Sequence, residues 1–457
     1  MPNQPDLDPT VVIPLPQRTL AALDALENAG FETWIVGGYV RDALLGRPSS
    51  DIDIATQAHW QDVQRVFEGQ GYRTHETGTA HGTLTVIVDE QALEVTTYRS
   101  DSAYADARHP NQVSFVRRDF TMNALAYHPA RGLFDPYGGH ADLEARIIRA
   151  VGDPDRRFSE DALRMLRACR FAAELGFAID PNTFEGMLAN KGLLPRISTQ
   201  RITHELQRLL LGEHAGRALT ATVDVLAAVL PELVAMKGFE QRTPYHIYDV
   251  LEHTARVLDG VPPYPLVRWA ALFHDMGKPA AFFTDEDGTG HFYGHAAISV
   301  MLARGIMDRL ALSSAFAAQV LTLVERHDDV IDRTPKAVKR ALSRLGGNVE
   351  LFAALCDLKR GDARGQAPRC IDRVSDADEL ERILSEILAA DEAFSLKKLA
   401  IDGRDVIELG VPQGPLVGLA LSDALDAVMD ERIDNKACAL RAFIEEWRAE
   451  HEDRAPL

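Results

Sequence analysis

The sequence predicts an α+β protein in which a small mixed sheet with flanking helices is followed by an all-helical remainder. Three observations carry this. The chain has 457 residues, too many for one hydrophobic core and suited to roughly two to four domains. Strand-like segments are confined to its first third: the apolar run Trp34-Ile35-Val36, and the alternating, β-former-rich runs Gly82–Asp89 and Ala92–Tyr98. Beyond about residue 151 the apolar residues recur at helical spacing instead.

Residues 1–16 are proline-rich and read as a loose lead-in. Leu20, Leu23 and Leu26 give Gln17–Ala29 a helical face that packs on the first strand. The run Trp34–Val36 then stops at Gly37 and Gly38, and Val40, Leu44 and Leu45 resume at helical spacing, so the order is strand, tight glycine turn, helix. Such a turn presents backbone N–H groups that suit a phosphate. Next comes Asp51-Ile52-Asp53. Because strand side chains alternate, Asp51 and Asp53 share one face while Ile52 and Ile54 enter the core. Two carboxylates on one face beside a phosphate cradle can hold a pair of Mg²⁺ ions for in-line phosphoryl transfer. Alone, a Gly-Gly is usually a turn and an Asp-x-Asp usually a solvated cap; their order is what carries the reading. His59–Phe67 reads as a helix, and Gly82–Asp89 pairs with Ala92–Tyr98. Glu94, on the latter strand, reads as an exposed strand residue.

In this order the two motifs resemble the nucleotidyltransferase superfamily that includes DNA polymerase beta, and more narrowly the class II tRNA nucleotidyltransferases and bacterial poly(A) polymerases. The run Arg117-Arg118-Asp119-Phe120-Thr121-Met122-Asn123-Ala124 resembles the Arg-Arg-Asp-Phe-Thr-Ile-Asn-Ala motif of class II enzymes. Adjacent arginines can bind triphosphate or ribose oxygens, with Asp119 fixing an arginine's orientation. Asp135-Pro136-Tyr137-Gly138-Gly139 resembles the family's hinge between head and neck. The resemblance implies a polymerase-beta-like head, Mg²⁺ on the catalytic pair Asp51 and Asp53, and a nucleotide lined by Gly38 and Arg41 and held by Arg118. A third acidic residue commonly joins the Asp pair in this superfamily, so the resemblance implies the alternative for Glu94, a metal-side carboxylate or base.

The segment Ser159-Glu160-Asp161-Ala162-Leu163-Arg164-Met165-Leu166-Arg167-Ala168-Cys169-Arg170-Phe171 opens with a cap residue and continues with helical periodicity, predicting one helix. On it Asp161 and Arg164 lie one turn apart on one face, Arg167 is displaced beside Arg164, and Arg170 sits further round. A Glu160–Arg164 salt bridge alone stabilises by only about 0.2–0.5 kcal/mol and does not require three arginines. The resemblance implies that this helix acts as a protein template: Asp161 accepts from the exocyclic amine shared by cytosine and adenine, and Arg164 donates to the ring edge. Arg167 and Arg170 then bind phosphate or brace the pair.

Further on, His253, the pair His274-Asp275, His295, His327 and Asp362 occur in that order among helices. The set resembles the HD metal-dependent phosphohydrolases, which implies a second, transition metal and an additional hydrolase activity. Satisfied polar core histidines are the alternative. Leu399–Gly410, Gly414–Gly418 and Asn435 resemble the class II tail; Lys397 and Lys398 there either touch tRNA or belong to a solvated charged face. The expected division is therefore head 17–150, neck 151–215, HD-like body 216–375 and tail 376–457.

Composition bounds the rest. A net charge of −19 argues against a general polyanion binder, so a tRNA partner must be met by locally concentrated arginines. Four widely spaced cysteines, no membrane-length apolar stretch and a start without a signal core place the chain in the cytoplasm with no membrane partner. The implied reaction is template-independent addition of cytidines (CC, or the full CCA where ATP is used as well) from CTP to the tRNA 3′ end with release of pyrophosphate. Between Arg99 and Arg117 the chain departs from CCA-adding members: Val116 joins Arg117 directly, without the usual leucine and acidic segment. In this family a shortened loop there accompanies enzymes that stop after CC, so a CC-adding enzyme is favoured over a complete CCA-adding one. Poly(A) polymerase is disfavoured by the acidic stretch Glu450-His451-Glu452-Asp453, where those enzymes carry a basic tail. An HD phosphohydrolase with an inactive head is the reading from a different class.

Overall fold

The computed structural model describes residues 7–49, 51–78, 82–88, 90–98, 118–390 and 393–451, which form two compact units, Met1–Ser198 and Thr199–Leu457. The loop 99–116 and Arg117, on which the CC-adding expectation rests, lie outside the described residues. The division between units falls inside the segment expected as neck.

The first unit is built on one sheet. In chain order its elements are β1 (Leu7–Asp8), α1 (Gln17–Asn28), β2 (Thr33–Val36), α2 (Gly38–Leu44), β3 (Asp53–Thr56), α3 (Trp60–Gly69), β4 (Arg73–Gly78), β5 (Thr83–Val88), β6 (Gln91–Thr97), β7 (Ala126–His128) and β8 (Gly132–Phe134). The strands lie in the order β1-β8-β7-β2-β3-β6-β5-β4. The sheet is mixed because β3 runs parallel to β6 while β2 pairs antiparallel with β3. Every residue of β2 is buried, as its continuous apolar run requires at the sheet centre. β5 alternates half-buried and buried residues, the period-2 pattern of a one-sided strand. Strands β1, β4, β7 and β8 were not anticipated. They are short or polar: β4 reads Arg-Thr-His-Glu-Thr-Gly and carries no apolar alternation.

After the sheet come α4 (Gly139–Glu144), β9 (Ile147–Ile148), α5 (Pro154–Glu160), α6 (Leu163–Leu175), β10 (Ala178–Ile179) and α7 (Pro181–Asn190). Here the single helix expected from Ser159 onward is corrected to two. α5 starts earlier, capped by Asp153, whose side chain accepts from the Asp155 N–H, with Pro154 at its first turn. Ser159 is not a cap but lies in the last turn, its hydroxyl donating to the Arg156 carbonyl. The break is at Asp161, which is extended (φ −150°, ψ 101°). Its carboxylate accepts from the Leu163 N–H at 3.1 Å, a local bond that competes with helix continuation.

The second unit is helical: α8 (Thr199–Leu210), α9 (Ala215–Leu226), α10 (Val250–Gly260), α11 (Pro265–Phe273), α12 (Lys278–Ala281), a hairpin of β11 (Phe283–Thr284) and β12 (Gly290–His291), then α13 (His295–Arg309), α14 (Ser314–Arg326), α15 (Pro335–Arg344), α16 (Val349–Gly365), α17 (Asp372–Ala389), α18 (Gly403–Glu408), α19 (Pro415–Met429) and α20 (Ala437–His451). Helix α10 packs along α16 and α11 along α14. Their apolar faces enclose fully buried Trp269, Phe273 and Phe352. Residues 393–447 gather a separate core around Val406, Ala420, Leu440, Ile444 and Trp447. Among the described residues no helix is long and apolar enough to cross a membrane.

Candidate active site and metal centre

Sheet register assembles the carboxylates of the first unit. Val36, the last residue before the glycine turn, pairs with Asp53, and Asp53 pairs on its other side with Glu94. Asp51 precedes the strand and is exposed, while Ile52 and Ile54 are buried, as alternation predicts. Burial and the negative charges of Asp51 and Glu94 push the Asp53 carboxyl up to about 6, against the opposing pull of Arg118. A carboxylate whose proton affinity is raised by neighbouring carboxylates in this way gains from a cation placed beside it. An all-oxygen donor set of this kind suits Mg²⁺.

Gly37 makes the turn, with φ 77° and ψ −135°, a conformation that disfavours any side chain. A Cβ there would meet Arg118 Nη1 at 3.4 Å and Asp53 Oδ2 at 3.7 Å, so the glycine lets the Arg118 guanidinium lie over the turn beside the carboxylate. The Gly37 N–H is engaged, donating to the Leu125 carbonyl at 3.3 Å. Gly38 opens α2, close under Arg41 Nη2. Arg41 donates from Nε and Nη2 to both oxygens of Asp42 at 2.9 Å and from Nη1 to Asn123 Oδ1 at 2.7 Å.

Asp119 continues this network. It is buried; burial raises its proton affinity, but Arg167, the Asn123 amide and the Phe120 N–H outweigh that and hold it below the usual carboxylate range. Arg167 donates from Nε to Asp119 Oδ2 at 2.6 Å, and Asn123 donates to Oδ1 at 3.0 Å. The arginine Asp119 orients is therefore Arg167, not its sequence neighbour. Arg41, Arg167 and Arg170 all lie over the Phe171 ring, at 5.1, 5.6 and 4.2 Å from its centroid. Arg170 is buried, with Glu174 Oε2 4.0 Å from its Nε. At the α5–α6 junction, Arg164 donates from Nη1 to Glu160 Oε2 at 3.1 Å and to the Arg157 carbonyl at 2.9 Å. Glu160 also accepts from Arg156 and Arg157.

In the second unit, helix ends converge six side chains. His253 Nε2 lies 3.2 Å from His274 Nε2 and 3.1 Å from both Asp275 Oδ2 and Asp362 Oδ1. His295 Nε2 lies 3.2 Å from His327 Nε2 and 3.3 Å from Asp275 Oδ1. Each of the four Nδ1 atoms faces a backbone carbonyl, those of Gly365, Ala271, Phe292 and Val324, at 2.7–3.1 Å. A carbonyl only accepts, so Nδ1 carries a proton in each ring and Nε2 is the nitrogen that faces inward and can ligate a metal once it holds no proton. The 3.2 Å between the facing Nε2 atoms is the separation of two ligands each about 2.0–2.1 Å from one ion. The residues thus fit two metal positions sharing Asp275, one with His253, His274 and Asp362, the other with His295 and His327. Gly277 permits the closure: a Cβ there would lie 2.4 Å from the His295 carbonyl oxygen. Lys278 Nζ sits 2.6 Å from Asp275 Oδ2 and donates to Gln241 Oε1 at 2.8 Å. Gln366 donates to Asp362 Oδ2 at 2.8 Å, leaving Oδ1 for the cluster.

Comparison with known proteins agrees with this arrangement. Family models described as "Poly A polymerase head domain", "Probable RNA and SrmB- binding site of polymerase A" and "HD domain" match residues 33–149, 176–236 and 244–383. A CCA-adding enzyme of Lactobacillus helveticus is 32% identical over 444 residues, 94% of this chain and 96% of its own. The chain belongs to the CCA-adding enzyme family. A higher identity of 45% to the Geobacillus stearothermophilus CCA-adding enzyme spans 226 residues, 48% of this chain and 55% of that relative. The crystal structure of the Bacillus stearothermophilus CCA-adding enzyme in complex with CTP is 29% identical, with a TM-score of 0.71 over 96% of this chain and 99% of that one.

Within this family member the expected residues fall into three groups. Asp51, Asp53, Glu94 and Arg118 surround the Gly37 turn. Arg41, Arg167 and Arg170 converge on Phe171. Asp161 and Arg164 stand at the α5–α6 junction, where Asp161 is outside the helix it was expected to begin. Residues missed by the sequence reading are Phe171, Lys278 and Gln366. The lysine had a signal, three residues after Asp275; the aromatic and the amide had none.

Proposed function

We propose that the protein extends the 3′ end of tRNA without a nucleic-acid template, using CTP, and ATP where the terminal adenosine is added, and releasing pyrophosphate. The observation that carries this is the Asp51, Asp53 and Glu94 group beside Arg118, in a chain matched nearly end to end by CCA-adding relatives. Asp51 and Asp53 would hold Mg²⁺, which would neutralise charge on the transferring phosphoryl group and so favour attack by the terminal ribose hydroxyl. Arg118, lying over the Gly37 turn, holds the ribose or phosphates, with Gly38 and Arg41 lining the same pocket. Arg167 and Arg170 brace the α6 helix around Phe171. Asp161 and Arg164 select the base by its exocyclic amine and ring edge. Asp161→Ala should lower discrimination for cytosine against uracil by roughly 1–3 kcal/mol; unchanged nucleotide choice would remove Asp161 from the selecting pair.

The reaction is proposed to stop after CC, on the strength of the shortened loop before Arg118. Addition of the full triplet is the second reading, favoured by the names of the relatives. Supplying tRNA that lacks its 3′ end with CTP and ATP together and sequencing the products decides: ends in CC support the first, efficient terminal adenosine the second. Asp53→Ala should abolish either product without unfolding the chain.

The four-part division into head, neck, body and tail is proposed for the way tRNA is gripped, by shape and phosphate along basic residues, with affinity that weakens as salt rises. The four free cysteines support a reducing, cytoplasmic setting. The cluster around Asp275 is proposed as a second metal centre with phosphohydrolase activity. Its imidazoles and carboxylates would hold a transition metal, which would supply an activated water for hydrolysis.

A further inference from the structure

The two metal positions around Asp275 are not equivalent. The first draws on His253, His274, Asp362 and the Oδ2 oxygen of Asp275, while the second draws on His295, His327 and the Oδ1 oxygen, and so has three protein donors instead of four. The adjoining cavity, of about 460 Å³, is lined by His295 and His327 but by neither His253 nor His274. The second position is therefore the one that faces the cavity. With only three protein donors, it depends on the placement of each.

His327 stands at the C-terminal end of α14, just past Arg326, and the residues that follow, Asp328 and Asp329, include no glycine to close the helix. The last carbonyls of a helix lack internal partners. Lys359 supplies one here: its Nζ donates to the carbonyls of His327 and Asp329, each at 2.7 Å. The same turn aims the His327 ring, whose Nδ1 faces the Val324 carbonyl at 2.7 Å. Lys359 lies on α16 three residues before Asp362, on the same side of that helix one turn earlier. One helix thus delivers Asp362 to the first position and Lys359 to the segment that carries His327. Burial works against the charge of Lys359, and the carboxylates of Asp362, Asp328 and Asp329 favour it. A side chain needed only to cap a helix would not have to hold a charge away from water.

We propose that Lys359 is the positioning residue of the second metal position: by holding the His327 and Asp329 carbonyls it fixes the end of α14, and with it the His327 imidazole, so that this position fills only when Lys359 is in place. This deepens the reading of the cluster as a metal centre and rests on it. Lys359 is not part of the cavity wall, so it acts through His327 and touches no ligand of the cavity.

The test loads the full chain with Mn²⁺ and measures metal content by elemental analysis and spin coupling by electron paramagnetic resonance, in wild type, Lys359→Met, His327→Ala and His253→Ala. The Asp51 and Asp53 site is the same in all four proteins, so its contribution cancels. Two Mn²⁺ ions bridged by Asp275 give a coupled spectrum, which a lone ion does not. Lys359→Met keeps an unbranched apolar stem and removes the donors. It should bind about one ion fewer per chain than wild type and lose the coupled spectrum, as His327→Ala should, while the ion of the first position stays. A coupled spectrum in Lys359→Met equal to that of wild type would overturn the role of Lys359 and leave the metal centre standing. Loss of both ions from Lys359→Met would overturn it as well, because the lysine would then support the helical unit as a whole and not one position. If wild type gives no coupled spectrum and His253→Ala binds as much metal as wild type, the metal-centre reading itself fails and this inference falls with it.

Discussion

Arg167 Nε lies 2.6 Å from Asp119 Oδ2, and this bond fastens α6 to the segment that leads into β7. Asn123 extends the fastening, donating to Asp119 Oδ1 and accepting from Arg41 Nη1. A path of charged and amide groups thus runs from α2, at the glycine turn, to the helix proposed to read the base. Phe171 gives the three arginines a common surface. On the proposed reading, one network positions the nucleotide's phosphate end and its base end.

Removing Arg167 tests this fastening. Arg167→Ala leaves the Asp119 carboxylate, 7% exposed, without its cation, which should destabilise the protein by about 1–3 kcal/mol. The Asp119 carboxyl is held below its ordinary 3.8 in the folded chain. Its contribution is therefore present above that value and is lost as pH falls through the lower folded value. Urea unfolding of wild type and variant at pH 7 should show the full gap, and the gap should narrow in acid.

Asp53 behaves oppositely. Its carboxyl is raised from 3.8 to about 6, so the metal-free folded chain binds the extra proton between those values. Its contribution is most favourable below the lower value and is lost as pH rises to about 6, by at most about 3 kcal/mol. Mg²⁺ needs the carboxylate and should restore what is lost. Thermal shifts at pH 5 and 7.5 should show greater stabilisation by Mg²⁺ at the higher pH, and Asp53→Asn should erase the difference.

How far these sites were legible depended on whether the signal was local. The Gly37 turn, the Asp51/Asp53 alternation and the paired strands carrying Glu94 follow from period-2 patterning and are found where expected. The helices of the second unit follow from their apolar spacing. What was not legible depends on distant partners. Nothing in the sequence says that Asp119 meets Arg167 rather than Arg118, because 48 residues separate the pair. Asp161 was misplaced because a side-chain bond to the Leu163 N–H overrode the helical periodicity on either side. β4 escaped notice because its polar residues carry no alternation.

Gly277 is a steric requirement of the cluster. A methyl group there would lie 2.4 Å from the His295 carbonyl oxygen and 2.7 Å from the Ser299 N atom, both backbone and unable to yield cheaply. The Gly277 N–H also donates to Ser299 Oγ at 2.8 Å. Gly277→Ala should push Asp275 away from His295, lower bound metal measured by elemental analysis, and destabilise the helical unit by about 1–3 kcal/mol. Nucleotide addition to tRNA should fall far less than metal content, since Asp51 and Asp53 belong to the other unit.

The last prediction concerns the proton that a metal must displace. Burial disfavours a charged His253, but the carboxylates of Asp275 and Asp362, each 3.1 Å from Nε2, outweigh it and raise the imidazole to about 9. At pH 7 the metal-free cluster therefore carries a proton on His253, the nitrogen a metal requires. Binding must release it, so apparent affinity should rise about tenfold per pH unit up to about pH 9 and then level off. The same proton stabilises the metal-free fold: its contribution is complete below the ordinary 6.5 and disappears as pH rises through 9. Titrating Mn²⁺ into the chain at pH 6, 7 and 8, in buffers of different ionisation enthalpy, measures both the slope and the protons released. A flat affinity across that range, or no buffer dependence of the heat, would mean that His253 is already neutral and that the carboxylates do not hold its proton.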